Sequence, residues 1–79
     1  MDIEDLANGQ HAPEESDRIT ISRLPGGKYG FAGVALQGAV HAHFFEHGQY
    51  DTGDEARAAG IAWAEESQVG KLLVEHPNA

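Results

Sequence analysis

The chain contains no cysteine, which excludes a disulfide framework, a thiolate metal site and a thiol nucleophile. Positive charge is scarce: five lysines and arginines stand against thirteen acids, a net charge of −8. A field of that sign repels phosphate backbones and attracts basic surfaces. Direct nucleic-acid binding, which draws on lysine and arginine at phosphates, is therefore disfavoured. Hydrophobic runs are short, and none approaches the ~18 residues of a membrane span. The opening MDIEDLANGQ is acidic, without the basic-then-apolar layout of a secretory signal. The expected location is the cytoplasm, with no membrane partner.

At 79 residues the chain is one small domain, near the size at which a single core is barely sufficient. Its charge is uneven. Residues 1–17 hold six acids and no base, residues 18–50 hold three bases against Glu46, and residues 51–66 are acidic again. Residues 1–16 mix charge, glycine and proline without periodicity, and read as a flexible acidic arm ordered, if at all, by a partner. The folded domain is expected over residues 17–79.

The strongest local signal is Tyr50 to Gly70. Thr52 with Glu55 three residues later is a capping box, Asp54 and Glu55 complement the helix dipole, and Gly70 is the expected stop. A helix over about residues 52–68 places Ala56, Ala59, Gly60, Trp63, Ala64 and Ser67 on one arc. That narrow stripe of small residues around one tryptophan suits close packing on a sheet. Glu55, Glu65 and Glu66 lie away from it, as does Ile61.

The sheet is expected from four short segments. Ile19 and Ile21 alternate with Thr20 and Ser22 as a half-buried strand. Pro25-Gly26-Gly27-Lys28 is a turn, and Tyr29 to Leu36 completes a hairpin. Gly38 marks a second turn and Val40 to Glu46 a third strand. Lys71 to Glu75 reads as the fourth, with residues 76–79 as a tail. The fold class is thus α+β: a four-stranded, mainly antiparallel sheet with one helix on one face, in the order β-β-β-α-β. The expected core is Ile19, Ile21, Val34, Leu36, Val40, Ala42, Phe44, Ala56, Ala59, Trp63 and part of Leu72 to Val74. If Val34 and Leu36 face the helix, Tyr29 and Phe31 face away, and with Phe45 they make an aromatic open face.

Candidate chemistry is thin. His41 and His43, two apart in a strand, share a face and with His47 offer three ligands at most. The competing reading is a pair of exposed histidines beside a turn, and no metal or other cofactor is expected. No nucleophile–base arrangement or phosphate-loop spacing is present, so catalysis is not expected.

In size, charge and layout the whole chain resembles the small acidic inhibitors that phages and mobile elements encode against host nucleases, above all anti-CRISPR proteins. The resemblance implies a non-enzymatic binding protein, in some cases a DNA mimic, that blocks the nucleic-acid-binding surface of a CRISPR effector complex. It carries over no individual residue. From the sequence itself, Asp54, Glu55, Glu65 and Glu66 supply the attraction to a basic protein surface, with Ile61, Tyr29, Phe31 and Phe45 as desolvated anchors. A monomer fits this reading. A homodimeric assembly module closing its open sheet face is the alternative from another class, and a metal-binding protein built on the His41-x-His43 pair is a second.

Overall fold

The computed structural model describes residues 1–37 and 41–77, with residues 37 and 41–48 described by their backbone. The elements run β1 (Asp2–Asp5), β2 (Arg18–Arg23), β3 (Tyr29–Gln37), β4 (His41–Tyr50), α1 (Gly53–Glu66) and β5 (Lys71–Glu75). They form one five-stranded sheet in the order β1-β5-β2-β3-β4. The α+β class and the single helix are as expected; the sheet differs. β5 pairs parallel to both β1 and β2, while β2–β3 and β3–β4 are antiparallel, so the sheet is mixed. The fifth strand comes from the presumed arm, where Asp2 to Asp5 lie beside Lys71 to Val74. All four β1 residues are exposed, so no hydrophobic pattern marks them; the backbone ladder to a distant strand and the side-chain contacts of Asp5 hold them.

The β2–β3 turn closes as its composition requires. Gly26 and Gly27 both take positive φ, at 89° and 82°, and the Leu24 N–H donates to Lys28 O at 2.7 Å. The second turn at Gly38, the start of a third strand at Val40 and the end of the tail at residues 78–79 lie outside the described residues.

The core sits between α1 and one face of the sheet. Ile19, Leu72, Val74, Ala56 and Ala64 are fully buried there, with Ile21, Phe31, Ala35 and Val69 nearly so. Gly60 is the point of closest approach, because a Cβ added there would stand 2.6 Å from Ile19 Cδ1. Trp63 lies across Gly33, where an added Cβ would meet the indole at 2.3 Å. The ring of Phe31 packs beside it at 6.4 Å between centroids.

This contact reverses the parity expected for β3. Phe31, Gly33 and Ala35 face the helix, whereas Val34 and Leu36 are only half-buried, on the opposite side. Shape decides the matter: the bulky indole needs a floor without side chains, and Gly33 is the residue that supplies one. Because side chains alternate along a strand, fixing one position fixes them all. Phe31 is thereby removed from the open face. Ile61 is corrected too, since it is half-buried and packs against the core.

α1 starts at the expected cap, with the Glu55 N–H donating to Thr52 Oγ1 at 3.1 Å. It ends earlier than Gly70. Gln68 takes φ 61°, its N–H donates to Glu65 O at 3.1 Å and the Val69 N–H to Ala64 O at 3.1 Å. This paired arrangement, with Val69 buried against the last turn, is a Schellman stop. A non-glycine residue in the left-handed region carries a steric cost of roughly 1–2 kcal/mol. Gln68→Gly is therefore expected to raise stability by about 0.5–1 kcal/mol, after the added chain entropy of glycine. Urea melts of Gln68→Gly and Gly70→Ala check this; a loss of about 1 kcal/mol from the second variant with no gain from the first would return the stop to Gly70.

Candidate functional site

The acidic surface is built on two elements. The outward side of α1 exposes Asp54, Glu55, Ala58, Ala62, Glu65 and Glu66, two carboxylate pairs with a flat stretch of alanine between them. At 1.5 Å of rise per residue the pairs stand about 15 Å apart. β1 adds Asp2 and Glu4 on an edge of the sheet, and Glu14 and Glu15 are exposed between β1 and β2. Among the described residues none of these eight carboxylates has a cationic partner within 4.0 Å, whereas Asp5 and Asp51 do.

The one cation on the helix is withdrawn from this surface. Arg57 donates to Asp5 through Nε at 2.9 Å and Nη2 at 2.6 Å, a bidentate pair between the helix and the edge strand. His76 Nε2 lies 3.0 Å from the same carboxylate. The Arg57 hydrogen bonds hold Asp5 below the usual carboxylate range, with His76 adding to the effect against a smaller push from burial. The cluster ties together β1, α1 and the residue after β5. It leaves the exposed side of α1 with acids and alanines.

Residues 6–17 are the second departure from the expected flexible arm. Leu72 and Val74 face the helix, so Leu73 and Glu75 face the other side, and the segment joining β1 to β2 crosses there. Glu75 is buried at 8% exposure and accepts from the Ala12 N–H at 2.5 Å and the Thr20 hydroxyl at 2.7 Å. Burial pushes its pKa up; the Thr20 and Ala12 donors, with the charges of Arg18 and His11, more than offset that, and the net shift is downward. Asp17 accepts from the Leu36 N–H at 2.6 Å, and Arg18 Nη1 donates to Glu14 O and Ser16 O. The crossing segment is thus fastened at its middle and its end.

Comparison with known protein families, with curated proteins and with solved structures finds no match to this chain.

Of the anchors expected from sequence, Tyr29 and Ile61 are half-buried against the core and Phe31 is inside it. Phe45 pairs with Gly33 along the β3–β4 ladder; its side chain lies outside the described residues. The same holds for His41, His43 and His47, whose backbones pair with Gln37, Ala35 and Phe31. Among the described residues no group of three His, Asp or Glu is placed to hold a metal ion, and no helix is long and apolar enough to cross a membrane. The sequence reading missed the Asp5–Arg57–His76 cluster and the role of Glu75. Their partners are 52 to 71 positions apart in two of these contacts and 63 in a third, so no local pattern marks them.

Proposed function

We propose that the protein is a non-enzymatic inhibitor that binds another protein, docking its acidic surface on a basic, nucleic-acid-binding site. The observation that carries this reading is the set of eight exposed carboxylates without cationic partners among the described residues, four of them on the outward side of α1. Such a surface offers a basic site the charge pattern of a polyanion, and complementary charge raises association rate and sets specificity. Ala58 and Ala62 between the two carboxylate pairs let a partner approach the helix closely. The leading partner is a CRISPR effector complex in the cytoplasm of a bacterial host, which the resemblance in size, charge and layout supports. Of the three aromatics that motivate the homodimeric alternative, Tyr29, Phe31 and Phe45, Phe31 is packed inside the domain.

The test is a pull-down from host lysate followed by DNA-binding competition on the recovered effector. The protein is expected to displace DNA from it. Glu65→Lys/Glu66→Lys is expected to weaken that inhibition by roughly tenfold or more, since it replaces two attractions by two repulsions at the docking surface. Undiminished DNA binding at saturating protein removes the mechanism, and full inhibition by the double variant removes the helix as its carrier.

A further inference from the structure

The three mutually parallel strands β1, β5 and β2 place their carboxyl ends on one side of the molecule, and α1 begins there. Between them is a cavity of about 430 Å³ lined by Ile21, Arg23, Tyr29, Gly53, Asp54, Arg57 and His76, with Thr52 at its rim. That volume falls within the range of small-molecule sites, about 300–1,000 Å³. Two of the five basic residues of an acidic chain meet here. We propose that this cavity binds a small-molecule carboxylate with an apolar body, a function separate from that of the acidic docking surface, which it borders at Asp54.

The two arginines are in different states, and each suits the role. Arg57 is immobilised: its Nε and Nη2 are spent on Asp5, which leaves the Nη1 donors on a guanidinium already fixed in place. Binding to a fixed group forfeits less side-chain entropy. Arg23 is exposed and has no hydrogen-bond or ion-pair partner among the described residues. It stands directly across the β2–β3 ladder from Tyr29. A planar guanidinium with free donors matches a carboxylate in bidentate geometry. Ile21 and the Tyr29 ring supply the apolar wall. An atom at the Cβ position of Gly53 would sit 3.6 Å from the Tyr29 ring, so the wall accepts a carbon there at ordinary van der Waals distance.

Asp54 lines the cavity and Asp5 stands behind Arg57, within a chain of net charge −8. A phosphate dianion meets about twice the repulsion of a monoanion from these acids and about twice the attraction to the arginines at the same distance. The apolar body decides between them: it packs on Ile21 and the Tyr29 ring, where inorganic phosphate has nothing to bury.

Titration of ¹⁵N-labelled protein with benzoate, followed by amide chemical shifts, tests the assignment. Saturable shifts are expected at Tyr29, Gly53 and Asp54, with a Kd on the order of 1 mM, the range open to so small a ligand. Arg23→Gln is expected to weaken binding roughly tenfold, the loss of one charge-assisted hydrogen bond. Lys71→Gln, at the amino end of β5, removes the same charge far from the cavity and is expected to leave binding unchanged. Absence of saturation, equal weakening by both variants, or tighter binding of inorganic phosphate than of benzoate each overturns the proposal. Both substituted positions are exposed, so the fold tolerates the changes.

Discussion

Trp63→Ala is expected to lower stability by about 3 kcal/mol, the low end of the range for losing a large aromatic from a core, because the indole is half-buried. A domain of this size has roughly 4–12 kcal/mol in total, so the variant stands close to unfolding. The indole is held between Gly33 beneath it and Phe31 at 6.4 Å beside it. Gly33→Ala attacks the same contact from the sheet side. Its Cβ would overlap the indole at 2.3–2.7 Å, and displacing the ring is expected to cost about 2 kcal/mol. The two losses are coupled. With Trp63 already replaced by alanine, Gly33→Ala has nothing to collide with and is expected to cost less than about 0.5 kcal/mol. Chemical denaturation of the single and double variants closes the cycle. Additive losses would place the indole elsewhere and undo the parity assigned to β3.

The second large effect belongs to Glu75. Glu75→Ala leaves the Ala12 N–H and the Thr20 hydroxyl without their acceptor in a part-buried setting, at a cost of about 2 kcal/mol. The loss has a local signature: the Ala12 amide is expected to lose hydrogen-exchange protection, as the crossing segment is released from the sheet. The carboxylate also imposes a pH dependence. Its folded pKa is depressed, so its contribution is fully present above the unfolded glutamate value and is lost as pH falls through the folded one. Stability is therefore expected to decline below about pH 4.5, and Glu75→Gln, which does not titrate, is expected to flatten part of that decline. Asp5 contributes with the same sign, so some slope persists in the variant. An Ala12 amide as protected in Glu75→Ala as in the parent, or identical pH profiles for the parent and Glu75→Gln, would detach the crossing segment from this carboxylate.

Much of the acidic surface was legible without coordinates. Asp54, Glu55, Glu65 and Glu66 lie on the side of the helical wheel away from the small-residue stripe, and all four are exposed. The anchors were less legible. The bulk of Val34 and Leu36 suggests that they face the helix and Phe31 the solvent, whereas the fold follows the need of Trp63 for a bare surface and buries Phe31. The cationic cavity and the Asp5 cluster carried no signal at all, since Arg23, Arg57 and His76 are ordinary polar positions until the strand ends are brought together.

The sequence by itself determined the local structure. A Thr-x-x-Glu start, alternating isoleucines and a Pro-Gly-Gly turn act over a few residues, and α1, β2, the β2–β3 turn and β5 follow from them to within a residue or two. Net charge and the absence of cysteine likewise need no fold to be read. Tertiary structure alone decided that β1 exists, that β5 lies between two parallel neighbours, and that residues 6–17 cross the sheet. Those features rest on backbone pairing and single hydrogen bonds between segments more than fifty residues apart. The preferences that shape a turn or a helix end reach only a few positions along the chain. Pairing across such distances is selected only when the competing ways of covering β5 are compared in space.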